Sequence, residues 1–329
     1  MKNNHCHMLL AYFLSCLMFL LSGCSFITVS LGPTVGPLQE KTVSGRGKDK
    51  ILIIDISGII SDEKKAGFPG LTEELDMVSR VKEELTLAKM DKQVKAILLR
   101  INSPGGKVTA SDMMYYEIMR FKEETQKKVI ACIMDIGASG GYYVAASADK
   151  IIAHPTTVTG SIGVIMINLS IEGLLQKIGI ADASVKTGEH KDMGSPLKKM
   201  TEEDRRIFSE ILNAMYERFL CVIEENREGI SMEKIRELAD GRIYSAQQAL
   251  ENGLIDQIGY LDDAVSIAKK ETNLKEARVI LYHRPGSYKN NIYSQLTGAS
   301  AGNINLFNID IKTFIHSGAP SSFMYIWMP

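Results

Sequence analysis

Apolar residues in this chain follow two rhythms. Mostly apolar runs of strand length stand at KILIIDISGII (50–60), VKAILLRI (94–101) and KVIACIM (128–134). Between them, from about 71 to 90 and from about 109 to 126, apolar positions recur every three or four residues, as on one face of a helix. Strands that are continuously apolar rather than alternating are buried on both faces, and their alternation with helices predicts a mainly parallel sheet. Further on, KIIAHPTTVTGSIGVIM (150–166) reads as a short strand, a turn and another strand. A long helical pattern follows from Thr201 to about Asn226, opened by Thr201 and a run of acids suited to a cap. Residues 241–270 read as short strand, helix, glycine turn, short strand and helix, and ARVILYH (277–283) as a last strand.

The two ends break this pattern. Residues 8–21, MLLAYFLSCLMFLL, are apolar but short of the roughly 20 residues a membrane helix needs. The length suits the core of a secretory signal. LSGC (21–24) follows at once and resembles the lipobox of bacterial lipoproteins, which implies cleavage before Cys24 and a lipid on its thiol; the other reading is an uncleaved anchor. Either way the body is expected to be exported, held at a membrane and facing the periplasm or another extracytoplasmic side. The expected organisation is a signal at 1–23, a tether at 24–49, a catalytic domain at 50–284 and a peripheral tail at 285–329.

Composition changes this little. The chain has 329 residues, 45% hydrophobic and 23% charged, with net charge −1, so no basic excess favours nucleic acid. Of the five cysteines, only Cys132 and Cys221 lie in the expected body, too few for a disulfide framework or a metal site. They are read as buried free thiols. No metal or nucleotide motif appears, so no cofactor is expected.

The candidate chemistry sits at strand ends. In DIGASGGYYVAASADK (135–150) a strand meets a helix at Ser139, with Gly137 before it and Gly140 and Gly141 after. GASGG fits the G-x-S-x-G elbow that presents a nucleophilic serine, with helix N–H groups behind it for an oxyanion. Read alone it is equally an anion-binding turn or a cramped connection. NSPGG (102–106) is a second strand-to-helix turn, whose Gly105 or Gly106 N–H would face Ser139 if both turns share the ligand-binding edge of one sheet. A serine nucleophile needs a base. His190 and His283 are candidates, His154 reads as structural, and His316 lies in the tail. KTGEHKDMGSP (186–196) offers Lys186 and Lys191. A free lysine, with a pKa of about 10.4, becomes a base only when desolvated or placed near positive charge.

Four blocks in fixed order decide among these. INSPGG, GASGGYYVAASADKIIAHPTTVTGSIGV, KTGEHKDMGSP with MTEEDR, and DGRIYSAQQALENGLIDQIG together resemble the signal peptide peptidase A family of bacterial serine peptidases, over about residues 50–283. The resemblance implies a Clp-protease/crotonase-like α/β fold of mainly parallel sheets with flanking helices. It implies Ser139 as nucleophile and Lys191, not Lys186, as general base. It implies an oxyanion hole from Gly140 and from Gly105 or Gly106, and a Ser161 hydroxyl that orients the lysine without charging it. It further implies apolar peptide substrates, notably cleaved signal peptides, and a ring- or dome-shaped homo-oligomer with active sites where subunits meet. Three other functions stay open at this point: a Ser/His esterase of α/β-hydrolase type, an acyl-CoA enzyme of the crotonase kind, and a non-catalytic peptide-binding scaffold.

Overall fold

A computed structural model of the chain describes residues 37–63, 75–284 and 322–328. The signal segment, Cys24 and His316 lie outside the described residues. The apolar runs form the strands expected of them: β2 (Lys50–Ser57), β3 (Val94–Ser103), β5 (Lys128–Ala138) and β6 (Lys150–Ala153), after an edge strand β1 (Gln39–Gly45) and a short β4 (Gly105–Lys107). β7 (Val158–Gly160), β8 (Ile165–Met166), β9 (Ile243–Ser245), β10 (Gln257–Ile258), β11 (Arg278–His283) and β12 (Phe323–Ile326) complete the described strands. The main sheet runs β1-β11-β2-β3-β5-β6-β10, with β7 branching from β5 to pair with β9. Every pairing from β11 to β10 is parallel, and β1 and β9 join antiparallel.

Burial on both faces explains the continuous apolar runs. Leu52, Ile54, Ile97, Leu99, Val129 and Ala131 face one way, against the helices α1 (Met77–Met90), α2 (Val108–Thr125) and α3 (Gly140–Ala145). Their neighbours Ile51, Ile53, Ala96, Leu98, Ile130 and Cys132 face the other. There they meet Leu261, Ala264 and Ala268 of a helix at Leu261–Glu271. Each buried Val, Leu or Ile contributes roughly 1.5–3 kcal/mol by leaving water, and the face that carries α1, α2 and α3 holds the larger core. Burial also pushes the Cys132 thiol up to about 12, which suits an inert core residue. Cys132 and Cys221 are both free thiols, but only Cys132 is buried; Cys221, expected in the core, is partly exposed.

The helix expected from Thr201 spans Glu202–Asn226. Thr201 Oγ1 accepts from the Asp204 N–H at 3.0 Å while Asp204 accepts from the Thr201 N–H, a reciprocal cap that satisfies two orphan donors. No described helix is long and apolar enough to cross a membrane.

Two expected boundaries move. Residues 39–45, placed in the tether, form β1, which pairs with β11 from Gln39↔His283 to Gly45↔Arg278. QEKTVSG carries no apolar run because an edge strand has one neighbour and an exposed face. Residues 322–328, placed in a peripheral tail, are not peripheral: β12 forms a small sheet between β4 and β8. Its short FMYI run is legible only once its partners are known.

Candidate active site

The sheet places both glycine turns at one edge. β3 and β5 run side by side in parallel, from Ala96↔Lys128 to Ser103↔Gly137, so the turns after Ser103 and after Ala138 emerge together. Ser139 caps α3, with φ 52° and ψ −117°, a backbone region that a side chain rarely occupies. It is 1% exposed and held from two sides: its N–H donates to the Gly160 carbonyl at 2.7 Å, and its carbonyl accepts from Tyr143 N–H at 2.9 Å. Strain of this kind persists only where the surroundings over-determine it. The Ser139 hydroxyl makes no hydrogen bond among the described residues.

The turn before β4 is shaped by Ser103. Its hydroxyl donates to the Gly58 carbonyl at 2.7 Å and accepts the Gly105 N–H at 3.0 Å. The Gly105 donor is therefore engaged, and Gly105 contributes shape: at φ +101° it would carry a Cβ only 2.7 Å from the Gly140 nitrogen. Gly106 packs on Ile60, where a Cβ would lie 2.0 Å from the Ile60 carbonyl oxygen. Both glycines are required by close approach, and Gly106 faces β12 in the register Tyr325↔Gly106.

A strand already lies in this cleft. β12 runs antiparallel to β4 in the register Met324↔Lys107, Tyr325↔Gly106, Ile326↔Gly105, and its other edge pairs with β8. Trp327 N–H donates to the Pro104 carbonyl at 2.8 Å, and the two-residue alternation of an antiparallel ladder then makes Tyr325↔Gly106 a hydrogen-bonded pair. The Tyr325 carbonyl oxygen lies 1.9 Å from a Cβ built at Gly105 and 3.0 Å from one built at Gly140. A peptide carbonyl thus sits between the two glycine turns, against Gly140, the residue after Ser139.

Ser161 follows Gly160, takes φ 49°, is nearly buried and donates its N–H to the Arg242 carbonyl at 2.7 Å. The structure therefore brings Ser139, Gly105, Gly106, Gly140 and Ser161 together. Lys191 stands apart. Its side chain is exposed, in a turn anchored by its neighbours: Asp192 pairs with Lys186 at 2.9 Å and Lys198 at 2.6 Å, and His190 meets Asp204 at 3.3 Å. Those two lysines hold the Asp192 carboxyl down at about 2. Lys191 has no side-chain partner among the described residues, and no hydrogen bond joins it to Ser139. The histidines do not reach Ser139 either: His283 Nδ1 faces the Arg284 carbonyl, and His154 stacks edge-on against Tyr260 with its pKa lowered by burial. His154 lines a separate cleft of about 330 Å³ with Arg100, Asn102 and Asp135, which none of the expected site residues enters.

Sequence reasoning missed what surrounds the bound strand. Tyr325 is fully buried against Tyr143 and Phe219, at ring separations of 5.1 and 4.8 Å. Phe219 was visible only as part of a helical face, and a lone tyrosine near a chain end carries no signal at all.

Comparison with known proteins agrees with this geometry. The profile of peptidase family S49 matches residues 121–275, and that of Clp protease matches residues 68–160. A protein of Enterococcus faecium, provisionally described as signal peptide peptidase SppA, is 39% identical over 244 residues, covering 74% of this chain and 70% of its own. The chloroplastic serine protease SPPA of Arabidopsis thaliana is 32% identical over 78% of this chain and 38% of its own. Protease 4 of Haemophilus influenzae is 33% identical over 69% and 36%. The chain thus spans little more than a third of those two longer relatives. With the Clp-protease-like α/β scaffold, the paired glycine turns and these matches in agreement, the chain belongs to peptidase family S49.

Proposed function

We propose that this protein is a membrane-tethered serine endopeptidase that cleaves apolar peptides, cleaved signal peptides among them, with Ser139 as nucleophile and Lys191 as base. The observation that carries the reading is the carbonyl of a strand, Tyr325, seated between Gly105 and Gly140, the residue after Ser139. An extended peptide bound as β12 is bound would offer its carbonyl carbon to Ser139 Oγ.

Neutral Lys191 accepts the Ser139 proton as Oγ bonds to the carbonyl carbon. The resulting oxyanion is held by the N–H groups of Gly106 and Gly140, donors fixed before reaction. The C–N bond then breaks, and the Lys191 ammonium returns its proton to the leaving amine. Neutral Lys191 then takes a proton from water as the water oxygen bonds to the acyl carbon; the Oγ–C bond breaks, the Lys191 ammonium returns the proton to Ser139 Oγ, and the peptide acid leaves. Ser161 would accept a hydrogen bond from the lysine without holding it protonated, as a carboxylate would.

A lysine serves as base only when desolvated, and the single chain exposes Lys191. Its own segment suggests how it becomes covered. From Ile165 to Leu197 the chain exposes Ile165, Ile167, Leu169, Leu174, Ile178 and Ile180, and the short helix Glu172–Lys177 buries no residue. A contiguous apolar arm of this kind marks an interface. We infer a homo-oligomer in which this arm packs on a second copy and carries Lys191 to that copy's Ser139. Anchoring through Cys24 on the extracytoplasmic side rests on the sequence at 8–24.

The test is hydrolysis of a fluorogenic apolar peptide by the full chain across pH, with Ser139→Ala, Lys191→Ala and His190→Ala beside the wild type. Activity that rises toward alkaline pH, vanishes without Ser139 or Lys191 and survives loss of His190 supports the reading. Dependence on His190 but not Lys191 would replace it with a Ser/His hydrolase. A folded, assembled wild type that cleaves nothing would favour a peptide-binding scaffold.

A further inference from the structure

We propose that Asp204 is a positioning residue for the base: it fastens the turn that carries Lys191 to the head of the helix Glu202–Asn226. This rests on the peptidase reading above, with Lys191 as base, and adds to it how that lysine is held.

No residue from 163 to 203 is buried, and Asp204 is the first buried residue after Ile162. Apolar packing within the chain therefore does little to fix the Lys191 turn. The turn has its own backbone bonds: Lys191 N–H donates to the Gly188 carbonyl at 3.2 Å, Met193 N–H to the His190 carbonyl at 3.1 Å, and Ser195 N–H to the Asp192 carbonyl at 3.0 Å. These bonds shape the turn but tie it to nothing outside itself.

The tie is polar, and both residues flanking Lys191 lead to Asp204. On one side His190 Nδ1 meets Asp204 Oδ1 at 3.3 Å. On the other, Asp192 accepts from the Lys198 ammonium at 2.6 Å, and the same ammonium lies 3.8 Å from Asp204 Oδ2. Lys186 joins Asp192 only to its own loop, through the Glu189 carbonyl, and so anchors nothing. Asp204 is itself fixed. It is 2% exposed, its N–H donates to Thr201 Oγ1, and its Oδ2 accepts the Thr201 N–H at 3.2 Å. Against the effect of burial, Thr201, His190 and Lys198 hold its carboxyl below the usual range, so it stays charged. Further along, Phe219, Leu220, Val222 and Ile223 bury the helix in the core, which makes its head a fixed point.

An isolated exposed ion pair contributes little. This one ends on a buried carboxylate in the first turn of a helix, where the macrodipole favours an anion, and it reaches the lysine turn by two routes. Placement of the base matters steeply: a displacement of about 1 Å can lower a rate by roughly a hundredfold.

The test is steady-state hydrolysis of a fluorogenic apolar peptide by full chains carrying Lys198→Met, Lys198→Arg, Asp204→Asn, or His190→Ala together with Lys198→Met, each checked for folding and assembly. Lys198→Met leaves the Thr201 cap untouched, and Asp204→Asn keeps an acceptor for it, so both should fold. In each, kcat is expected to fall roughly tenfold to a hundredfold, with KM within about twofold of wild type. Lys198→Arg keeps a cation between the two carboxylates and should recover most of the kcat. Loss of His190 alone leaves the Lys198 route, whereas removing both should lower kcat by more than the product of the single losses. Wild-type kcat in folded Lys198→Met and Asp204→Asn overturns the proposal and leaves the peptidase reading standing. A loss that appears in KM alone, or that Lys198→Arg does not recover, does the same. If Lys191→Ala is itself fully active, the proposal falls together with the reading beneath it.

Discussion

Ser139 and Ser161 are tied through one residue: the Ser139 N–H donates to the Gly160 carbonyl at 2.7 Å, and Ser161 follows directly, both serines at positive φ. Gly160 itself has φ +85°, and a Cβ there would lie 2.5 Å from the Tyr244 ring and 3.0 Å from the Arg242 carbonyl oxygen. Gly160→Ala should therefore cost roughly 1–3 kcal/mol in strain and displace both serines, lowering the thermal midpoint and the activity together. Ser161→Ala removes only a hydroxyl. It should leave the midpoint unchanged and shift the pH–rate profile if Ser161 orients the base. An unshifted profile would reduce Ser161 to a backbone role.

The separation of Ser139 from Lys191 yields a sharper prediction. If the dyad forms between copies, Ser139→Ala and Lys191→Ala chains are each inactive, yet assembled together they should regain activity, because some interfaces join an intact serine to an intact lysine. Lys186→Ala should stay active, since its ammonium serves Asp192. Both lysines are solvent-facing, so neither change should move stability by more than about 0.5 kcal/mol. Mixed assemblies without activity, checked for subunit exchange, would place both dyad members on one chain.

Much of this site could be read from sequence, for a physical reason. Strand ends in a parallel sheet converge on one edge, so GASGG and NSPGG, each following a strongly apolar strand, were expected to meet and do. Gly105 differs in detail, because its N–H is spoken for by Ser103, a hydroxyl that looked like part of an ordinary turn. The edge strand at 39–45 and the inserted strand at 323–326 were not legible. Both are short, and both are fixed by long-range pairing rather than by their own periodicity. The exposure of Lys191 was equally invisible, because a sequence shows which residues are charged and not which are covered.

The docked strand predicts a gain of function. Tyr325 supplies a fully buried ring and a hydroxyl bonded at 2.7 Å, so Tyr325→Ala weakens the docking of β12 by roughly 3–5 kcal/mol. With less competition, peptide hydrolysis should rise, up to roughly a hundredfold, and level off once the strand is mostly undocked. Gly105→Ala acts in the opposite sense. Its Cβ would strike any strand in the β12 position, as the 1.9 Å approach to the Tyr325 carbonyl oxygen indicates, so both β12 and substrate should be excluded. A Tyr325→Ala rate equal to wild type would show that β12 does not compete.

Away from the cleft, Glu84 should give the fold a measurable pH dependence. Its side chain is 1% exposed; Oε1 accepts from Arg80 at 2.8 Å, and Oε2 has no partner among the described residues. Burial raises the carboxyl to about 7, against the pull of Arg80 and with the support of Asp55 and Glu83. In the unfolded chain the same group titrates near its ordinary value, about 4.3. Between those two values the folded state holds the proton longer, so stability falls as pH rises through the window. Above about 7 the full cost remains, on the order of 3 kcal/mol. Glu84→Gln keeps an acceptor for Arg80 and removes the titration. Denaturant unfolding should therefore find the variant more stable than wild type at pH 8, with the advantage shrinking toward pH 5 as the wild-type carboxyl gains its proton. An advantage that stays constant across that range would mean that Glu84 titrates alike in both states, and that burial costs this carboxylate less than its surroundings imply.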